Sequence, residues 1–157
     1  MQKINACLWF DNQAEEAAEY YVSVFDNAKI TGISRFGEGA PGPAGQAMAV
    51  EFDLEGQKFQ ALNGGPAFSF TEAVSFVIDC SSQDEVDRYW NALSDGGSEG
   101  RCGWLKDRYG VSWQIVPSAL GELLGGPDSA GSQRAMQAML DMKKLDIAEL
   151  QKAYDGG

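Results

Sequence analysis

The apolar positions of the chain switch repeatedly between the two-residue period of strands and the 3.6-residue period of helices. Lys3–Phe10 is a short apolar run closed by Asp11-Asn12 and predicts a buried strand. A helix follows, with Asp11 or Asn12 as cap, Glu15 and Glu16 in its first turn, and Ala17, Ala18, Tyr21 and Phe25 as its apolar stripe. Asp26-Asn27 ends it. Lys29–Phe36 carries β-branched residues and predicts a strand, and a Gly- and Pro-rich loop leads to a hairpin, Ala47–Leu54 and Gln57–Leu62, turning at Glu55-Gly56. After Asn63-Gly64-Gly65-Pro66 the order begins again. Ala73–Asp79 predicts a strand, and Ser81 or Ser82 caps a helix over Glu85–Leu93 whose apolar face is Val86, Tyr89, Trp90 and Leu93. Asp95-Gly96-Gly97 stops that helix. Gly103–Leu105 and Val111–Val116 predict strands joined by a turn at Asp107–Gly110. Each half reads strand, helix, then two or three strands, which suggests duplication of one βαβββ module.

The last forty or so residues differ. Gly125–Gly131 has the composition of a linker, and Gln133–Lys143 and Ile147–Tyr154 are two short helical patterns. Alone, each is too short to hold a helix in water, so both need a surface to pack on.

Composition narrows the function. The 157 residues include 12 Lys+Arg, 23 Asp+Glu and no His, for a net charge of −11. Such a chain offers no broad positive surface to a phosphate backbone or an anionic membrane, which argues against nucleic-acid binding. Without histidine there is no His general base, Ser-His-Asp or Cys-His pair, or His metal ligand. Cys7, Cys80 and Cys102 are odd in number and lack C-x-x-C spacing, which argues against a disulfide framework and a structural zinc site. No apolar run has the length of a membrane span, and no secretory signal is expected, so a cytoplasmic location is the expectation.

Two motifs need weighing. Gly37-x-Gly39-x-x-Gly42 matches the dinucleotide fingerprint in spacing, yet Pro41 and Pro43 interrupt it and a strand follows where a helix is required. It predicts a strand connection. The densest signal is Cys102–Pro117, which places Gln114 at the middle of a strand built for burial. Alternation sets Trp113 and Ile115 on one face and Ser112, Gln114 and Val116 on the other. A glutamine there must either find internal partners or line a wet cavity.

These segments, INACLWFDNQAEEAAEYYVSVF, LNGGP, CGWLKDRYGVSWQIVP and the tail AMLDMKKLDIAELQKA, resemble the PhnB-like branch of the vicinal oxygen chelate superfamily. That superfamily includes glyoxalases, bleomycin-resistance proteins and dioxygenases, and this branch often carries the name demethylubiquinone methyltransferase. The resemblance implies an α+β fold of two βαβββ modules, about 3–63 and 73–117, whose strands curl into a U-shaped sheet around a cavity. This gives a glyoxalase-like domain over 1–120 and a helical extension over 121–157. It also implies a homodimer.

Metal-using relatives take one ligand from the first strand and one from the last strand of each module. Here those positions fall near Asn5, near Asn63, on Ala73 or Ser75, and on Gln114. Neutral amides supply no anionic ligand, so no metal is expected. No glycine loop joins a strand to a helix, so no S-adenosylmethionine site and no other cofactor is expected. The resulting expectation is metal-independent binding or catalysis on an unidentified small molecule, with Asn5, Asn63, Ser75 and Gln114 as polar contacts and Trp9 and Trp104 as apolar wall. Whether the chain is an enzyme stays open. The alternatives are a metal-dependent lyase or dioxygenase, and a dimeric interaction module.

Overall fold

The computed structural model describes residues 3–157. The chain forms two compact units, residues 1–70 and 71–157. In the first, the order is β1 (Ala6–Phe10), α1 (Ala14–Val24), β2 (Ala28–Arg35), β3 (Ala47–Leu54) and β4 (Gln57–Asn63). The sheet order is β1-β4-β3-β2, with β1 and β4 parallel and the remaining pairs antiparallel. The second unit begins with β5 (Ser75–Cys80), α2 (Gln83–Ser94), β6 (Ser98–Glu99), β7 (Trp104–Lys106) and β8 (Ser112–Pro117), in the order β5-β8-β7-β6. Here too the first and last strands are parallel neighbours. The topology is that of the first unit. The repeated module read from the sequence is therefore present, with the short β6 completing the third strand.

In the first unit α1 covers one face of the sheet. Ala14, Ala17, Ala18 and Tyr21 are fully buried there, together with Leu8, Phe10, Val50, Phe52, Phe59 and Ala61. Tyr21 stacks on Phe52 and Phe52 on Phe59, with centroids 6.2 and 5.4 Å apart. Each such ring contributes about 1.5–3 kcal/mol by leaving water. The hairpin turns as expected at Glu55-Gly56. Both residues have positive φ, 48° and 84°, as a type I′ turn requires.

The cap of α1 departs from expectation. Neither Asp11 nor Asn12 caps it; Gln13 stands at the N-cap with no side-chain bond. The first helical N–H, that of Ala14, instead donates to Asn63 Oδ1 at 2.9 Å, a partner 49 residues away. By contrast α2 follows the local rule. Ser82 Oγ accepts from Glu85 N at 3.2 Å, while Glu85 Oε1 accepts from Ser81 N at 3.0 Å.

In the second unit α2 buries Val86, Tyr89, Trp90 and Leu93, on the face of the sheet that presents Leu105, Trp113 and Ile115. Three further helices follow: α3 (Ser118–Leu124), α4 (Ser129–Leu140) and α5 (Ile147–Asp155). They share a separate apolar cluster of Leu120, Leu123, Ala135, Leu145 and Leu150. The tail thus has its own small core. The linker expected over Gly125–Gly131 is shorter than its composition implied, because Ser129, Ala130 and Gly131 already belong to α4. Gly131 is buried, and a Cβ on it would lie 2.8 Å from Tyr154 O. Its glycine marks close helix packing.

Candidate functional site

Each sheet has one face under its helix and one open face. On the first sheet, strand alternation and register set Asn5, Cys7, Trp9, Glu51, Asp53, Lys58 and Gln60 on the open face. Asn5 is exposed and its Oδ1 accepts from Gln60 Nε2 at 3.3 Å. The depression beside it, about 50 Å³ and lined by Thr31, Glu51 and Asp53 among others, has room for little more than water. Trp9 is half-buried. Its indole Nε1 donates to Gly65 O at 2.9 Å, and Phe68 meets its ring edge-on at 4.9 Å. A Cβ on Gly64 would lie 2.3 Å from Trp9 Cζ2, so the indole lies against bare backbone. The Gly64-Gly65 pair is explained by this seat. The one polar atom of Trp9 is already used.

Asn63 is placed differently from Asn5 and Trp9. It lies on the α1 side of the sheet, 9% exposed, with both ends of its amide engaged. Besides accepting from Ala14 N, it donates from Nδ2 to Ala47 O at 2.8 Å. The expectation that it shares a ligand-facing surface with Asn5 is corrected: its amide ties α1, β3 and β4 together. The cause is register. Asn63 pairs with Phe10, a core position of β1.

On the second sheet the open face is built from Ser75, Val77 and Asp79 on β5, Ser112 and Gln114 on β8, and Trp104 and Lys106 on β7. Three expected site residues come together here. Gln114 Nε2 donates to Ser75 Oγ at 2.9 Å, and Trp104 is the direct cross-strand neighbour of Gln114. All three are half-buried. With one amide hydrogen given to Ser75, the group retains a second N–H, its Oε1 and the Ser75 hydroxyl proton for other partners. Ala73, the other residue weighed with Ser75, precedes β5 and is exposed.

Trp113 faces the other way, 3% exposed, with Nε1 donating to Asp107 Oδ2 at 2.9 Å. Asp107, itself 3% exposed, also accepts from Tyr109 N and Val111 N at 2.8 and 3.1 Å. This carboxylate builds the turn that delivers β8. Sequence reasoning set Ser112 on the Gln114 face without counting it as a site residue; it is 1% exposed and its hydroxyl has no partner among the described residues. That alternation was the only signal pointing to it.

The cysteines separate by depth. Cys7 is exposed on the open face, against the expectation of a buried strand residue, whereas Cys80 is buried and its thiol is pushed up to about 12, first by burial and then by Glu85 and Asp79. Among the described residues no group of three or more Cys, Asp or Glu side chains is placed to hold a metal ion. Among them, too, no helix is long and apolar enough to cross a membrane. Gly37, Gly39 and Gly42 lie between the antiparallel strands β2 and β3, so they do not open a helix.

The family model described as 3-demethylubiquinone-9 3-methyltransferase matches residues 2–116, which leaves α3–α5 outside the match. A putative 3-demethylubiquinone-9 3-methyltransferase, the PhnB protein from Bacillus cereus, is 36% identical, with 74% of this chain covering 100% of that one at a TM-score of 0.70. A protein from Pseudomonas aeruginosa is 23% identical over 74% of this chain and 98% of its own, with a TM-score of 0.62. The fosfomycin resistance protein FosX from Listeria monocytogenes, complexed with Mn(II) and sulfate, shares the fold at 12% identity, over 74% and 91% of the two chains and a TM-score of 0.50. No curated protein matches the chain. Matched over most of its length by that family model and at 36% identity by the Bacillus PhnB protein, the chain belongs to the PhnB-like 3-demethylubiquinone-9 3-methyltransferase family.

Proposed function

We propose that the chain binds a small organic molecule without a metal ion, on the open face of its second sheet around Gln114. The observation that carries this reading is the Gln114–Ser75 pair, 2.9 Å long and half-buried beside Trp104, which joins neutral donors and acceptors to an aromatic surface. Ligand sites commonly have this make-up, a few convergent polar groups on an apolar wall.

A metal fits these residues poorly. Asn5 and Gln114 are neutral, Ser75 is a hydroxyl, and both ends of the Asn63 amide are engaged by backbone. Divalent cations are held firmly by carboxylate, thiolate or imidazole ligands, and this set has none of them. The family name describes methyl transfer, which needs a methyl donor such as S-adenosylmethionine. Its residues do not fit either. The strand-to-helix connections Asp11–Gln13 and Ser81-Ser82 contain no glycine to admit a nucleotide.

The homodimer belongs to the same proposal. Val74, Val77, Met136 and Leu140 are 68%, 53%, 40% and 45% exposed, apolar side chains that a second copy would cover. Light scattering should give twice the chain mass, and the chain mass alone would remove the dimer from the reading.

The main test is protein purified without chelator, examined by native mass spectrometry and elemental analysis. The expected result is a carried-through organic ligand, lost in Gln114→Ala, with the thermal midpoint nearly unchanged. About one Zn, Ni, Mn or Fe per chain, lost in the same variant, would overturn the metal-independent reading. A large fall in the midpoint with binding intact would make Gln114 structural.

A further inference from the structure

The open face of the second sheet carries a second row beside Gln114. Parallel pairing sets Ser75 opposite Ser112, and antiparallel pairing sets Lys106 opposite Ser112 on the other side. The central hydroxyl of this row is the one left without a partner, at 1% exposure. A buried donor unmet by its own protein loses free energy unless a guest or a water satisfies it. Lys106 forms an ion pair with Glu72, a residue of the segment leading into β5, and both side chains are well exposed, 44% and 59%. Exposed pairs of this kind hold weakly, and another carboxylate exchanges for them at small cost.

Resting on the proposal above, we infer that Lys106, Ser112 and Ser75 form an anion subsite of the same face, in which the carboxylate of an aromatic monocarboxylic acid replaces Glu72 on the Lys106 ammonium. The carboxylate accepts hydrogen bonds from the two hydroxyls. One ammonium balances one negative charge, so a dianion is disfavoured. The aromatic body is specified by Trp104, which sits two residues from Lys106 on the same side of β7 and beside Gln114. Glu72 thereby acts as a stand-in for the ligand. Its carboxyl lies below the usual carboxylate range because Lys106 hydrogen-bonds to it, so the pair is intact at neutral pH and the ligand must compete for it.

The experiment titrates the full chain with benzoate, benzamide and phenylphosphonate, following the Ser112 amide by NMR. Benzoate should bind at least about tenfold more tightly than benzamide, as a hydrogen bond to a charged group implies. Glu72→Gln should tighten benzoate by about two- to fivefold, the strength of an exposed ion pair, and leave benzamide unmoved. Lys106→Gln should weaken benzoate by about tenfold or more. Equal affinity for benzoate and benzamide, tighter phenylphosphonate than benzoate, or no benzoate binding to Glu72→Gln would each overturn the subsite. If benzamide binding depends on Gln114 while benzoate gains nothing from Glu72→Gln, the subsite fails and the Gln114 reading survives. If benzoate responds to Glu72 and Lys106 but neither probe responds to Gln114→Ala, the reverse holds.

Discussion

Replacing Asn63 by alanine tests whether this side chain belongs to the architecture or to the ligand. The substitution deletes the acceptor for Ala14 N and the donor to Ala47 O, bonds of 2.9 and 2.8 Å. Ala14 and Ala47 are 0% and 1% exposed, so neither backbone group reaches water without local opening. A buried polar group left unpaired costs about 1–3 kcal/mol. Two of them, partly relieved by relaxation at the first turn of α1, give an expected loss of about 2–4 kcal/mol. With an m-value near 2 kcal/mol per molar urea, the midpoint of the first unit should fall by about 1–2 M. Trp9 is the single tryptophan of that unit, so whole-protein fluorescence is a blunt readout. Hydrogen exchange of the α1 amides during urea titration is sharper, and Ala14 N–H should lose its protection first. A loss under about 0.5 kcal/mol with Ala14 still protected would refute the argument, because measured losses of buried pairs exceed that figure. Loss of ligand binding at unchanged stability would return Asn63 to the site.

Three further outcomes follow from the packing and the charges. Gly131→Ala should lower the melting temperature despite alanine's higher helix propensity, because its Cβ would meet Tyr154 O at 2.8 Å and push α5 away, at about 1–3 kcal/mol; a rise would show that the two helices can separate freely. Iodoacetamide at pH 8 should label Cys7 before Cys80 by peptide mass spectrometry, since Cys7 is exposed and the Cys80 thiol stands near 12; equal labelling of the native protein would contradict the burial of β5. The Asp87 carboxyl is held below its usual value, first by a hydrogen bond from Lys144 and then by one from Gln83. A carboxylate depressed on folding stabilises the protein above its unfolded pKa, about 4, and that contribution disappears as pH falls through the lower folded value. Asp87→Asn should therefore flatten the acid limb of the stability curve below about pH 4; an unchanged limb would mean that the pair carries no weight.

Where the determinants were local, the sequence announced the structure. The turn at Glu55-Gly56 needed only two adjacent residues able to take positive φ, and the cap of α2 only Ser82 with Glu85 three places on. Alternation alone put Trp113 in the core and Gln114 on the opposite face. Legibility ended where partners came from far along the chain. Asn63 bonds to positions 14 and 47, so its type could not tell a structural amide from a ligand contact. Gly131 read as linker because composition records a missing side chain without recording that Tyr154 needs the space. Ser112 was given a face by alternation but no role, since a serine in a strand becomes informative only when its neighbours leave it unpaired.

The parallel pairing of first and last strands also sets a timetable for synthesis. Ala6 pairs with Phe59 and Ser75 with Ser112, so β1 and β5 leave the ribosome long before the strands that receive them. The β3–β4 hairpin, with its two-residue turn, forms within microseconds of emerging, whereas seating β1 must wait for β4 and close a long loop. During that interval Leu8, Phe10 and the apolar stripe of α1 lack their sheet. Such non-local closure slows folding and lengthens exposure to aggregation. Slow codons or a holding chaperone would act most strongly between the release of Phe10 and that of Asn63, and again between Cys80 and Pro117.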